Sequence, residues 1–229
     1  MNKKIIIIMG PPGSGKGTQS QLLSEKLNFY YFETSKIIEQ NFNNAKEGEF
    51  IEVDGEKYDL LHEKKLFAEG ILCTPVLVTY LVKEKIKELA KEGKGIVFSG
   101  SPRTIYEGEQ IMPFLDELYG KENIEIILIK LPEKESIFRN THRRFCSLMR
   151  HPILYSKETE KLTRCPLDGS ELVVRILDTT ETMKIRLKEY KERTLPLIDY
   201  FKRENFIAKE IEGKQTPEEL HNDILKILQ

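Results

Sequence analysis

Tryptophan is absent, and only three cysteines (Cys73, Cys146 and Cys165) occur in 229 residues. An odd, sparse set of thiols argues against a disulfide framework and fits a reducing cytoplasm. Long apolar runs are also missing, so nothing in the chain is built to span a bilayer. The run Ile5 to Met9 follows two lysines, as in a signal peptide. It is too short for one, and no small-residue cleavage site comes after it. Neither sign of charge dominates, because 36 Lys and Arg face 37 Asp and Glu for a net charge of −1. Such a balance leaves no electrostatic footprint for nucleic acid or a membrane face. Internal repeats and low-complexity segments are absent. No arginine precedes Arg103.

What is present suits one compact domain with insertions, or at most two small domains. Ile5 to Met9, Phe29 to Phe32, Ile96 to Phe98, Ile124 to Ile129 and Phe206 to Ile211 read as strands. Helical patterns separate them at Lys16 to Leu27, Pro75 to Lys91, Ile105 to Leu118, Glu133 to Phe145, Thr180 to Arg203 and Pro217 to Leu228. Strands alternating with helices predict an α/β fold, a parallel sheet covered on both faces. Two stretches break the alternation. Thr34 to Thr74 holds a possible hairpin turn at Asp54-Gly55, then a helix from Glu56 or Tyr58 to Ala68. Cys146 to Arg175 is polar and poor in helix pattern. Both read as excursions from the core.

The segment Gly10-Pro11-Pro12-Gly13-Ser14-Gly15-Lys16-Gly17-Thr18 sits between a strand and a helix. Phosphate oxygens need several backbone N–H donors converging on one point. Glycines let the chain bend tightly enough to present them, and a helix N-terminus adds favourable potential. Lys16 adds a mobile positive charge for the β- and γ-phosphates. A plain glycine turn is the bland alternative, and the adjacent lysine weighs against it. Phosphate binding alone names no reaction.

Gly10-x-Pro12-Gly13-x-Gly15-Lys16-Gly17-Thr18 resembles the phosphate loop of the adenylate kinases and related nucleoside monophosphate kinases. Gly100-Ser101-Pro102-Arg103-Thr104 resembles that family's Asp-Gly-Phe-Pro-Arg motif. Pro132 to Arg144 looks like the helix leading into its lid, and Asp178 to Leu187 with Thr194-Leu195-Pro196-Leu197 like the helix leaving it. The resemblance implies a P-loop NTPase three-layer fold with a five-stranded parallel sheet, and core segments at 1–33, 75–145 and 177–229. It also implies a monophosphate-binding insertion at 34–74 and a lid at 146–176. The implied reaction is ATP plus AMP to two ADP, with Mg2+. A kinase for GMP, or then UMP or CMP, and a catalytically weakened nucleotide sensor are the alternatives. A cytoplasmic monomer without nucleic-acid or membrane partners is expected.

Phosphoryl transfer needs positive charge around the transferring group more than covalent chemistry, and arginine's fork binds phosphate oxygens in pairs. By resemblance, Gly13, Ser14, Gly15, Lys16, Gly17 and Thr18 hold the ATP phosphates. Arg139 stacks near the ATP adenine, while Arg143, Arg175 and Arg186 close on the phosphates. Arg103 and Gly100 hold the monophosphate's phosphate, and Thr34 with Ile71, Leu72 and Cys73 lines its base pocket. Asp178 fixes the closed lid. Arg144 reads as a surface or lid-hinge charge.

Several positions depart from the family pattern. Ser99 stands where an acidic residue orients magnesium-bound water, so the metal would be held mainly by the nucleotide. Glu39 replaces a phosphate-binding arginine, with Lys36 one turn earlier as a substitute point charge. Glu107 aligns with a base-reading glutamine. An ionised carboxylate only accepts, which suits guanine's donors better than adenine. Gln110 lies three residues on. In the lid, some relatives bind zinc through two C-x2-C pairs, which here read Cys146-x2-Met149 and Cys165-x2-Asp168. A thioether is a poor Zn2+ ligand, and His151 could replace it beside Cys146, Cys165 and Asp168. A metal-free lid with two thiols is the other reading.

Overall fold

A computed structural model describes residues 4–42, 44–149, 151–175 and 178–229. The expected lid-to-core boundary at 176–177 and the first three residues of the expected core segment 1–33 lie outside these.

Five parallel strands form the central sheet: β1 (Ile5–Met9), β2 (Tyr30–Glu33), β5 (Ile96–Ser99), β6 (Ile124–Lys130) and β10 (Ala208–Glu212), in the order β10-β6-β1-β5-β2. In the centre, β1 is buried on both faces, which is why it reads as an unbroken apolar run. The strand's twofold alternation divides it between two cores. Ile5, Ile7 and Met9 join Ile96, Phe98, Ile126 and Leu128 on one side. Ile6 and Ile8 join Val97, Ile127 and Ile129 on the other. Helices α4 (Pro75–Lys91), α5 (Ile105–Tyr119) and α8 (Leu197–Arg203) cover the first side, and α1 (Lys16–Leu27) and α9 (Pro217–Leu228) the second. Burying one Ile or Leu contributes about 1.5–3 kcal/mol, so each side is a cohesive layer.

Between β2 and α4 the chain makes its first excursion. Helix α2 (Thr34–Phe42) leads to an antiparallel hairpin, β3 (Phe50–Val53) and β4 (Glu56–Asp59). Asp54 and Gly55 turn it with φ of 52° and 84°, the left-handed pair such a tight turn requires. Helix α3 (Leu60–Glu69) follows, capped by the Asp59 carboxylate on the His62 N–H. In the second excursion, β7 (Arg144–Cys146), β8 (Pro152–Ile153) and β9 (Leu172–Val173) form a small antiparallel sheet.

Two helices differ from their sequence patterns. The helix expected to reach Phe145 ends at His142 as α6 (Glu133–His142), because Arg144 to Cys146 pair with β8 and β9 instead. The helix expected over Thr180 to Arg203 is α7 (Thr180–Glu189), a π-helical turn over Tyr190–Thr194, and then α8. Pro196 has no N–H to continue the ladder, so the run breaks there. Among the described residues, no helix is long and apolar enough to cross a membrane.

Candidate active site

The C-terminal ends of β1, β5 and β2 open onto one cleft, with the loop Gly10 to Gly15 at its floor. Gly10, Gly13 and Gly15 have φ of 148°, 75° and 96°. A Cβ at Gly10 would meet the Ile129 carbonyl oxygen at 2.5 Å, so only glycine allows this path. Lys16 folds back over the loop, its Nζ donating to the carbonyls of Gly10 and Pro11, each at 2.7 Å. The Ser14 hydroxyl is fully buried and has no protein partner among the described residues. An orphaned buried hydroxyl in a glycine-rich turn at the N-terminus of α1 fits a site built for an anion.

A cavity of about 160 Å³ extends from this loop, with Lys16, Arg103, Arg175 and Arg186 among its walls. Burial and then the charges of Arg103, Arg186 and Arg143 hold the Lys16 pKa well below its ordinary value. Burial, with Arg143 next, brings Arg186 down to about 10. Cations lowering one another's pKa mark a site that gains free energy when an anion enters.

Asp178 organises the lid arginines. Its carboxylate has no exposed side-chain surface. It accepts Arg143 Nε at 2.7 Å and Nη2 at 2.8 Å, with Arg186 Nη1 at 3.6 Å. Arg175 lies over the Phe145 ring, 5.8 Å from its centroid, and reaches Glu39 Oε1 at 3.7 Å. The carboxylate of Glu39 therefore faces a guanidinium across the cleft. Lys36 instead pairs with Glu33 at 3.0 Å and is largely exposed, away from the cavity wall.

On the β5 side, the Arg103 guanidinium packs over Gly100, where a Cβ would stand 2.3 Å from Nη2. Glu107 is only 2% exposed and is consumed by its own turn. Its Oε2 accepts Ser101 Oγ at 3.0 Å and Arg103 N–H at 2.9 Å, and its Oε1 accepts Thr104 Oγ1 at 3.3 Å. Burial pushes the Glu107 carboxyl up, and these donors oppose the shift. Gln110 is exposed on α5. Ile71 and Leu72 line the cavity, whereas Cys73 is buried and donates to the Glu63 carbonyl at 3.6 Å. Burial pushes the Cys73 thiol up to about 12, so it is a neutral packing group. Thr34 is buried at the start of α2. Arg139 bonds Glu135 at 2.8 Å and the Gly213 carbonyl at 3.0 Å, outside the cavity wall. Arg144 is held within the lid on the Leu162 carbonyl at 2.6 Å.

Two groups at the cleft escaped the sequence reading. Glu189 Oε2 accepts the Leu72 N–H at 3.0 Å, and Arg193 bonds both Glu189 at 3.0 Å and the Leu72 carbonyl at 3.3 Å. This pair clamps the backbone of the first excursion to α7. Its only sequence signal is an i, i+4 acid–base spacing, which most exposed helices share. The second group, Ser136 and Asn140, lies against the phosphate loop.

In the second excursion, Cys146, His151, Cys165 and Asp168 bring their ligand atoms within 4.8 Å of one another. The His151 N–H points at Cys146 Sγ (3.1 Å) and the Leu167 N–H at Cys165 Sγ (3.4 Å), while Ser170 N and Oγ hold Asp168 Oδ1. Met149 is 63% exposed and plays no part in the cluster.

A phosphate loop after the central strand of a five-stranded parallel sheet, facing half-buried cations across one cleft, defines a P-loop nucleotide-binding protein. Residues 8–206 match the adenylate kinase family. The chain is 32% identical to an adenylate kinase of Methanothrix thermoacetophila, 33% to one of Clostridium botulinum strain Langeland and 29% to one of Borreliella burgdorferi. Each comparison covers 97% of both chains. The chain belongs to the adenylate kinase family.

Proposed function

We propose that this protein transfers the γ-phosphoryl group of ATP to AMP, giving two ADP. The observation that carries the reading is the ring of Lys16, Arg103, Arg143, Arg175 and Arg186 around one cleft, with burial and mutual repulsion depressing Lys16 and Arg186. That many cations are more than one triphosphate needs at its end, and they suit two nucleotides meeting phosphate to phosphate. Gly13 to Thr18 hold the ATP phosphates, with Lys16 on the β- and γ-groups. Arg139 faces the ATP adenine when the lid closes. Arg103, with Gly100, holds the AMP phosphate. Arg143, Arg175 and Arg186 gather around the transferring group, and Asp178 keeps the first and last of these in place. Lid closure excludes water, the competing acceptor.

Thr34 and the backbone of Ile71 to Cys73 border the AMP base. The Glu107 carboxylate serves this site by bracing the Arg103 turn. Glu107 is buried, is not among the residues lining the cavity and already receives three donors from its own turn, so its carboxylate is not turned toward guanine's donors, which favours AMP over GMP. The division into a core (1–33, 75–145 and 177–229), a monophosphate insertion at 34–74 and a lid at 146–176 follows from these roles. A monomer is proposed with this reading, and three free thiols suit the cytoplasm.

The cleft fits magnesium carried in by the nucleotide. Among the described residues lining it, the one carboxylate is Glu189, already engaged by Leu72 and Arg193. Thr18 and Ser99 would approach the ion with hydroxyls, through water. Magnesium supplies neutralisation of phosphate charge when bound. Zinc fits the lid cluster. Two thiolates, an imidazole and a carboxylate form a four-ligand structural set, with N–H donors behind both sulfurs.

A coupled ADP assay with ATP, magnesium and each monophosphate in turn tests the reaction. AMP should support the highest kcat/KM. Tight ATP binding without turnover on any monophosphate would make the protein a sensor instead. Elemental analysis of the purified protein should find about one zinc per chain, and chelation should lower the unfolding midpoint by roughly 5–10 °C. A metal-free preparation that melts at the same temperature with and without chelator would rule zinc out.

A further inference from the structure

Helix α6 departs from the usual rule for a helix packed on a core. Its buried side chains are Ser136 and Asn140, one turn apart and both 0% exposed. A packed helix ordinarily turns an apolar stripe inward. Here the inward stripe is a hydroxyl and an amide, and burying those is costly unless they are bonded.

Both side chains meet the phosphate loop. Ser136 Oγ donates to the Pro12 carbonyl at 2.6 Å. Asn140 Nδ2 donates to the Ser136 carbonyl at 2.7 Å. That same nitrogen lies 2.3 Å from where a Cβ on Gly13 would stand, so the amide fills the space that Gly13 leaves. The bond to Ser136 also fixes the direction of the amide, since the reverse orientation would set two oxygens against each other. Asn140 Oδ1 is then left buried with no partner among the described residues. Past Asn140 the helix continues to Arg143 at its C-cap, the arginine held on Asp178.

We propose that Ser136 and Asn140 are positioning residues for the phosphate loop. They dock the lid-bearing helix on Pro12 and Gly13, and Asn140 Oδ1 is an acceptor kept for a loop N–H in the triphosphate-bound shape. The effect is specific to the ATP half of the cleft, because both side chains make their contacts with the phosphate loop and their own helix. The inference rests on ATP occupying this loop, as under the proposed function.

The test is calorimetric titration of ATP and, separately, of AMP into Asn140→Leu and Ser136→Ala, alongside thermal unfolding. Leucine keeps the branched shape of asparagine with a larger volume, and removes the orphaned oxygen together with the Nδ2 donor. The Asn140→Leu protein should bind ATP roughly ten-fold more weakly and AMP within about two-fold of normal. Its unfolding midpoint should stay within about 5 °C of normal, because loss of the unpartnered oxygen offsets part of the cost of the lost Nδ2 bond and the larger side chain. A purely structural residue would not weaken ATP binding while leaving stability intact. Ser136→Ala, a smaller change that carries the test if the leucine variant fails to fold, should weaken ATP binding about two- to five-fold with AMP unchanged. Unaltered ATP affinity in either folded variant, or equal losses for ATP and AMP, would overturn the proposal. Wild-type ADP formation is assayed separately, so failure of the phosphoryl-transfer reading would be distinguished from failure of this one.

Discussion

Lys16→Ala should lower kcat by about 1,000-fold or more, equivalent to about 4 kcal/mol of transition-state stabilisation. Lys16 is the cation carried by the phosphate loop itself. It rests on the Gly10 and Pro11 carbonyls, where burial and then a field of arginines depress its pKa. Arriving phosphates reverse the sign of that field, favour the charged amine, and give it anionic oxygens in place of neutral carbonyls. The alanine variant loses the interaction as negative charge shifts between nucleotides. Its folding stability should change little, by less than about 1 kcal/mol, since two lost hydrogen bonds are offset by relief of repulsion among buried cations. Steady-state kinetics with thermal unfolding checks both halves. Turnover near the wild-type level, or collapse of the fold, would contradict this account of Lys16.

The second large effect belongs to Asp178→Asn. Asparagine keeps the size and removes the charge that Arg143 grips through two hydrogen bonds and Arg186 approaches at 3.6 Å. Losing one partner of a fully buried pair costs about 3–5 kcal/mol, and the partial exposure of both arginines reduces the expected cost here to about 2 kcal/mol. Activity should fall by roughly 100-fold, because two guanidiniums lose their common anchor and no longer converge on the transferring phosphoryl. A nucleotide should rescue stability in part. Its phosphates return negative charge to the same guanidiniums, so saturating ATP should raise the variant's midpoint more than the wild type's. Equal ligand-induced shifts in the two proteins would show that Asp178 is not the charge holding this cluster.

Much of the core was legible from local pattern. The Ile5 to Met9 run, the glycines that follow it and the lysine after them form a contiguous signal. The physics behind it is short-range, since both the strand's burial and the loop's φ angles depend on neighbouring residues. Helix ends were read less well. The pattern through Phe145 looked helical, but pairing of Phe145 with Val173 in the lid outweighed it, and no window of sequence contains that pairing. The run after Thr180 needed a π turn before Pro196, which periodicity alone does not show.

The charged positions divide in the same way. Composition and spacing by themselves determined that arginines flank the second excursion and that thiols are few, while the departure of Glu39 and Glu107 from the family pattern is what the resemblance implied. Only the tertiary structure decided what those charges face. Glu39 meets Arg175 from a distant part of the chain, and Glu107 turns inward on Ser101, Arg103 and Thr104. His151, and not Met149, joins Cys146, Cys165 and Asp168. Ser136 and Asn140 lie against Pro12 and Gly13, more than a hundred residues earlier. A side chain's type fixes which interactions it is capable of. Which partner it receives depends on chain segments brought together by burial of the sheet, and that information is not local.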